Sequence, residues 1–599
     1  MKNLLREHHL HTTLSAWLTL ALIMPFVMQA TTASGLVSIF YKFSIPAYYA
    51  IFIYILSLAL IPLAVLKINM YLRALLFSLW AYYLLIDLVV FNIYQFHINS
   101  LLINMFFADF GGMGIPTSII LMAIAVFAGL FFSYVFLIKI LKNWQWKKAY
   151  WLTLALCFPI FIANQFIHIW GSRYDQQAIT QYTPAFPLFY PTTSRNFATK
   201  LSNALPYIFP ASNIAAKNIQ KKNHSNNLHY PLNPLTCSTT QHPSVLLFVL
   251  ESWQADSLKT NVMPNIASFA KQATEFKQHI ASGSSTVPGL FGVLYGIHPT
   301  YYENFRANAS KNPSLLIKTF AEAGYTNQVF TSSNLNRFSL RTLFFPNIAT
   351  DHYHEFLKND AKTMESYLTN LDKPERQQQP HFDFVFLTSS HFNYEYPSEF
   401  SIFKPLPTRD GGYLIDKQTD PSPYKNDYYN SLYYLDNFFG KVIEKLRRDN
   451  RLDNTWIIIT GDHGEEFNET QKGYWGHGSN YTRWQTQTPL IIWTGKSASQ
   501  IETRTSAHQD IAPTLMQNVL GCTNPIEDYS NGFNAFALPE KRNTVISSYF
   551  TSAYWVDGVI LEKSTMKKPY SWKDFSPVEN TPDFQAINQL MKEESHFLK

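Results

Sequence analysis

Cysteine is scarce: three residues in 599 (Cys157, Cys237 and Cys522), which excludes a scaffold built on disulfides. Charge is scarce too, at 15% of residues with a net +6. No compact basic stripe with interleaved aromatics occurs, so no nucleic-acid partner is expected. The shortage is uneven. Between residues 14 and 171 the only acids are Asp87 and Asp109, in a stretch crowded with Leu, Ile, Phe, Ala and Tyr. The remainder has the charge density of an ordinary water-soluble protein, and a chain of this length is expected to form two or more units. Cys157 falls in an apolar segment, which leaves Cys237 and Cys522 as two free thiols or, outside the cytoplasm, as a bridge.

Five apolar segments, near 14–38, 45–66, 71–95, 115–140 and 149–171, each supply the ~20 helical residues that cross a bilayer. Lys2 and Arg6 precede the first, Lys67 and Arg73 separate the second and third, and Lys139, Lys142, Lys147 and Lys148 separate the fourth and fifth. The opposite loops carry only Lys42 and Asp109. Positive charge stays inside, so the N-terminus is expected in the cytoplasm and everything beyond about 172 outside. A cleaved signal peptide, with Gln29-Ala30-Thr31 and Ala33 at its end, is the alternative for the first segment; the later spans orient the chain the same way. Asp87 lies inside the third span, where an ionisable group needs a partner, and a neighbouring tyrosine hydroxyl is the expected one.

Residues 172–240 read as a connection. Pro184, Pro187, Pro191, Pro206 and Pro210 interrupt it. Phe186, Phe189, Tyr190, Phe197 and Tyr207, mixed with Arg195 and Lys200, suit a segment at the headgroup level of a membrane. Lys217–Asn227 is polar and reads as a tether.

From about 243 strands and helices alternate, the pattern of a mostly parallel sheet. Ser244–Leu250 is an apolar strand followed by Glu251-Ser252. Phe382–Leu387 is another, followed by Ser389-Ser390-His391. Ile457–Thr460 is a third, followed after Gly461 by Asp462-His463-Gly464-Glu465. Ligands bind at the carboxyl ends of strands in such sheets, so three endings rich in carboxylate and imidazole point to one metal-binding edge. Ser282-Gly-Ser-Ser-Thr286-Val-Pro288 precedes an apolar run and reads as a helix start. It is either an ordinary hydroxyl cap or the source of a metal-activated hydroxyl nucleophile; Ser284, Ser285 and Thr286 are equally placed for that. His391 and His477 can bind the transferred group or protonate a leaving oxygen. His508 and Asp510 precede a helix start and read as structural, with Asp510 as its cap. After Lys541 a few antiparallel strands and a terminal helix are expected.

These motifs resemble those of the alkaline phosphatase/sulfatase superfamily, in the membrane-anchored branch of phosphoethanolamine transferases and lipoteichoic acid synthases. The resemblance implies Glu251, Thr286, Asp462 and His463 as ligands of one Zn²⁺ or Mn²⁺, with Mg²⁺ as a further candidate, and Thr286 as the nucleophile. It also implies His391 and His477 as second-site histidines. Sulfatases that use formylglycine carry Cys or Ser in Cys/Ser-x-Pro-x-Arg. Here the stretch is Thr286-Val-Pro288-Gly-Leu290, so that chemistry is not expected.

Over nearly the whole chain the sequence is similar to the inner-membrane YejM (PbgA) family. Leu85-Ile86-Asp87, Phe96-His97-Ile98-Asn99, Pro187-Leu-Phe-Tyr-Pro191 and Leu294-Tyr-Gly-Ile-His-Pro299 carry the likeness. It implies a role in lipopolysaccharide homeostasis, lipid A as a ligand and a regulatory protein partner in the inner membrane. The family's lipid A contact is a pair of adjacent arginines; here Arg195 is followed by Asn196. The family's best-known members have a degraded metal site, whereas this chain keeps the full ligand set.

The expected architecture is a five-span helical domain over 1–171, a periplasmic linker over 172–240 and a sulfatase-like α/β domain with a mostly parallel sheet over 241–599. The expected function is that of a metal-dependent phosphatase or phosphotransferase acting on lipid headgroups. A non-catalytic lipid A sensor with a structural metal site is the alternative.

Overall fold

The computed structural model describes residues 2–30, 35–61, 69–94, 97–98, 103, 117–173, 176–180, 182–209, 228–239, 241–307, 309, 312–408, 415, 417–496, 499–549, 551–563, 569–579 and 583–598. They form two compact units that divide near residue 220.

The first unit contains five helices: α1 (Lys2–Gln29), α2 (Leu36–Ala59), α3 (Asn69–Tyr94), α4 (Thr117–Leu141) and α5 (Trp146–Arg173). All five are long and apolar enough to span a membrane. α1 and α2 begin well before the expected 14 and 45. The apolar count misplaced them because helix continuity follows backbone pairing and packing rather than polarity. His8, His11, Thr12 and Ser15 are buried in α1, with Ser15 Oγ 2.8 Å and His11 Nδ1 3.2 Å from the Tyr134 hydroxyl of α4. Among the described residues Asp87 takes no tyrosine partner. Its carboxylate lies 2.6 Å from His97 Nδ1 and accepts from the Ile98 N–H at 2.6 Å, because the chain beyond α3 returns alongside that helix. Local spacing could not foresee that return.

The connection divides. Ile179, Tyr182, Phe186, Phe189 and Phe209 pack with Tyr41, Tyr49 and Trp170 of the helical unit, and α6 (Arg195–Ala204) lies in this part. Residues 228–239 belong to the second unit: the His229 N–H donates to the Phe597 carbonyl, and Cys237 is bridged to Cys522. The tether at 217–227 lies outside the described residues.

The second unit is built on an eight-stranded sheet. Its strands are β1 (Ser244–Leu250), β2 (Thr274–Phe276), β3 (Thr326–Thr331), β4 (Tyr353–Glu355), β5 (His381–Leu387), β6 (Thr455–Gly461), β7 (Leu490–Trp493) and β8 (Gln500–Glu502), in the order β8-β2-β7-β6-β1-β5-β3-β4. β6, β1, β5, β3 and β4 are parallel neighbours, while β7 runs antiparallel to β6 and β2. Central strands buried on both faces need continuous apolar runs, and β1 and β5 are buried almost throughout. Helix α7 (Thr286–Tyr295) follows the hydroxyl-rich stretch, and α8 (Ser422–Arg448) carries a long buried stripe. The chain closes with four antiparallel strands, β9 (Asn543–Ser547), β10 (Ser552–Val556), β11 (Val559–Glu562) and β12 (Tyr570–Ser571), and helix α9 (Phe584–Glu593).

Candidate metal centre and active site

Strand register brings the site together. Leu250 at the end of β1 pairs with Leu387 on one side and Gly461 on the other, so Glu251 and Asp462 leave the sheet at one level. Thr286 arrives from the side as the first residue of α7. That helix is pressed against the β6 loop: a Cβ on Gly289 would lie 2.1 Å from the Asp462 carbonyl oxygen, so only glycine permits the approach. Ser285 stands at the N-cap position without a side-chain capping bond, so the hydroxyl stretch does not act as an ordinary cap.

Around His463 the polar atoms converge. Its Nδ1–H donates to the Gly464 carbonyl at 2.9 Å, which leaves Nε2 facing the cluster as the nitrogen a metal would take. Glu251 Oε1 lies 3.3 Å and Asp462 Oδ2 3.4 Å from that nitrogen. Thr286 Oγ1 is 3.4 Å from it and donates to Glu251 Oε1 at 2.9 Å. Asp462 Oδ1 accepts from the N–H groups of Ser252 and His463, while Oδ2 is buried without a hydrogen-bond partner.

This set fits a divalent cation. Tetrahedral bonds of about 2.0–2.1 Å to nitrogen and oxygen place ligand atoms about 3.3–3.4 Å apart, as observed around Nε2. Charge points the same way. Burial opposes the ionisation of Glu251, but the hydrogen bond and charge of His463, with His391 and His477 behind it, hold its carboxyl below the usual carboxylate range. Burial, and then the charge of Glu251, push Asp462 well above the usual carboxylate range. Two facing carboxylates that cannot comfortably ionise together are a setting that a cation relieves.

His477 borders the same space, with a ligand atom within 4.8 Å of those of Glu251 and His463 and its ring centroid 4.3 Å from that of His463. His391 lies on the far side of His477 at 5.3 Å between centroids. Its Nδ1–H donates to the Phe392 carbonyl at 2.7 Å, which leaves Nε2 as its second polar atom, and burial pushes its imidazole below the ordinary range. The loop that carries it is held by the Asp360 carboxylate, which accepts from the N–H groups of Thr388 and Ser389. Six of the seven sequence-derived residues are thus drawn together. The seventh, Arg195, opens α6 in the other unit, and its side chain lies outside the described residues. His508 is buried, with Nδ1 3.2 Å from the Gly289 carbonyl; Asp510 accepts from the N–H groups of Ala507 and Phe533 and pairs with Arg542.

Sequence reading passed over two residues. Glu465 accepts from His477 Nδ1 at 2.7 Å and from the Tyr394 hydroxyl at 3.0 Å, so it aims the other nitrogen of His477 at the cluster. Burial opposes the Glu465 charge, but His477 holds the carboxyl below its ordinary value. Glu465 stands in the Asp-His-Gly-Glu run and could have been read there. Tyr394 carries no such signal.

Residues 243–521 match the sulfatase family model, and residues 1–237 match a domain of unknown function, DUF3413. The inner membrane protein YejM of Salmonella typhimurium is 26% identical over 543 residues, 86% of this chain and 83% of the relative. An uncharacterised protein of Haemophilus influenzae is 27% identical over 475 residues, 76% of this chain and 71% of the relative. The Kdo(2)-lipid A phosphoethanolamine 7''-transferase of Salmonella typhimurium is 25% identical over 198 residues, 31% of this chain and 33% of the relative. This protein is therefore a multi-pass inner-membrane homologue of YejM that carries a sulfatase-family domain.

Proposed function

We propose that the second unit is a metal-dependent phosphoryl-group transferase or hydrolase that acts on phosphate esters of lipid headgroups at the outer face of the inner membrane. The observation that carries this reading is the convergence of Glu251, Asp462 and His463 on the Thr286 hydroxyl, with Asp462 Oδ2 left unpartnered. Those four residues would hold Zn²⁺ or Mn²⁺, with Mg²⁺ a third choice; such an ion supplies Lewis-acid charge stabilisation and eases loss of the hydroxyl proton. The partial likeness to a lipid A phosphoethanolamine transferase favours a headgroup donor and a lipid A or water acceptor.

The residues divide the work. Thr286 Oγ1 attacks phosphorus, forming an O–P bond as the bond to the leaving oxygen breaks. His477, aimed by Glu465, protonates that oxygen. His391 presents Nε2 to the transferred group. An acceptor hydroxyl or water then attacks the phospho-threonine, and Thr286 leaves.

A lipid A sensor with a structural metal site is the second reading. It is favoured by the extent of the YejM likeness, which runs through the membrane half, and by Tyr190 and Phe197, which stay exposed. A regulatory membrane protein partner belongs to that reading.

Wild type and Thr286→Ala separate the two. Each is assayed for metal-dependent release of phosphate or headgroup from phosphatidylethanolamine, lipid A and an aryl phosphate. Turnover and phospho-Thr286 in wild type alone, with metal in both proteins, support the enzyme. Stoichiometric metal with equal background rates would make the site structural.

A further inference from the structure

A buried carboxylate that the mechanism does not use fastens the loop of His477. Glu466, next in the chain to the Glu465 that aims His477, is fully buried. A two-stranded antiparallel ribbon, Glu466–Phe467 with Trp475–Gly476, pairs Glu466 with Gly476, the residue before His477. Glu466 Oε2 accepts from the side-chain amides of Asn480 at 2.7 Å and Gln485 at 2.8 Å, and Oε1 accepts from the Thr470 hydroxyl at 2.5 Å. Because Gln485 turns its NH2 group to this carboxylate, its amide oxygen faces the other way. There it accepts from the N–H groups of Ser479 at 3.0 Å and Asn480 at 3.2 Å, just past His477. The Gly464 N–H, beside His463, donates to the Gln485 carbonyl at 2.9 Å, so Gln485 is tied to the metal-site loop as well. Burial pushes the Glu466 carboxyl above its ordinary value; a proton on Oε1 would turn toward Thr470 Oγ1 and leave Oε2 accepting as before.

We propose that Glu466 is a positioning residue for the acid of this site: its carboxylate orients the side-chain amides of Asn480 and Gln485, and through them holds the loop that presents His477 to the leaving oxygen. This rests on the phosphoryl-transfer reading above. In the step it serves, the Thr286 proton passes to solvent and the Oγ1–P bond forms. The P–O bond to the leaving group breaks with its electron pair on the leaving oxygen, which takes a proton from His477. An acid acts only within hydrogen-bond reach of that oxygen, so a loop free to shift loses proton transfer first. Without an acceptor at position 466 two buried amides lose their common partner and the orientation it imposes. An alkyl leaving oxygen needs the proton to depart, whereas a dinitrophenyl oxygen departs without it, and this difference separates positioning of the acid from general damage to the fold.

The test uses the full-length protein in detergent. Glu466→Leu removes the acceptor at similar volume, and Glu466→Gln keeps an acceptor for both amides while its NH2 group meets the Thr470 hydroxyl. Gln485→Met, which removes the acceptor of the Ser479 and Asn480 N–H groups and leaves Glu466 in place, reads the same link should Glu466→Leu fail to fold. Metal content is measured for each, with the single-turnover rate of phospho-Thr286 formation from an alkyl phosphate and from dinitrophenyl phosphate. Expected for Glu466→Leu and Gln485→Met are unchanged metal content, a loss of at least about tenfold on the alkyl phosphate and of less than about threefold on dinitrophenyl phosphate. Glu466→Gln should recover most of the alkyl phosphate rate. Equal losses on the two substrates, loss of the metal, or a wild-type alkyl phosphate rate in Glu466→Leu or Gln485→Met would overturn the positioning role while leaving the enzyme in place. A wild type that forms no phospho-Thr286 from either substrate would overturn the phosphoryl-transfer reading, and the role of Glu466 with it.

Discussion

Gly289 and Asp462, 173 positions apart by subtraction of their numbers, meet backbone to backbone: a Cβ on Gly289 would fall 2.1 Å from the Asp462 carbonyl oxygen and 2.9 Å from its carbonyl carbon. The nucleophile helix and the carboxylate loop are therefore one packed object. Gly289→Ala must push α7 or the β6 loop aside, at a cost of about 1–3 kcal/mol for overpacking. A shift of about 1 Å at the site would lower turnover on the order of a hundredfold. Gly129→Ala is the control, since nothing lies within 4 Å of the added carbon. Thermal midpoints and kcat for the two variants check this.

Metal removal has a defined sign. Glu251 and Asp462 repel in a buried setting that already pushes Asp462 upward, so chelation should lower the thermal midpoint of wild type. Restoring Zn²⁺ or Mn²⁺ to a hundred times its dissociation constant should return about 2.7 kcal/mol. Asp462→Asn removes one of the two charges. Its metal-free form should melt above metal-free wild type and gain little from added metal. Calorimetric scans of the four states decide it.

In the membrane half, the buried Asp87 carboxylate is held by the His97 ring and the Ile98 N–H, both at 2.6 Å. Asp87→Leu leaves both partners facing an apolar side chain. Breaking a buried pair from one side costs about 3–5 kcal/mol, so the variant should melt well below wild type in detergent. Asp87→Asn, which retains an acceptor, should lose less. A wild-type midpoint for Asp87→Leu would show that the pair contributes nothing.

The terminal helix α9 supplies a pH-dependent term. Glu593 Oε2 lies 3.1 Å from the Nε2 of buried His298. Burial opposes the Glu593 charge, but the hydrogen bond and charge of His298 hold the carboxyl below its ordinary 4.5. The folded value lies below the unfolded one, so the stabilisation is present above pH 4.5 and fades as pH falls through the folded value. Glu593→Gln should cost about 1 kcal/mol at neutral pH. At about pH 3 the difference should shrink toward zero, as read from denaturation midpoints at the two pH values.

The amino-acid sequence by itself determined the elements whose cause is local. Five apolar stretches became five helices because a span needs only enough consecutive apolar residues. β1, β5 and β6 were legible because strands buried on both faces must be apolar throughout. Glu251, Asp462 and His463 were legible because they stand directly at strand ends, and His391 because it lies in the short loop after one. Where polarity and continuity disagreed, as at the start of α1, packing prevailed and the sequence-based boundary moved.

Tertiary structure decided what depends on long-range register. That Leu250 pairs with both Leu387 and Gly461, and so sets Glu251 beside Asp462, follows from strand order, which no local pattern encodes. The partner of Asp87, the bridge between Cys237 and Cys522 and the aiming of His477 by Glu465 belong to the same class. Each joins residues that carry no mark of the other, and each exists because a packed interior must satisfy its buried polar groups with whatever the fold brings within reach.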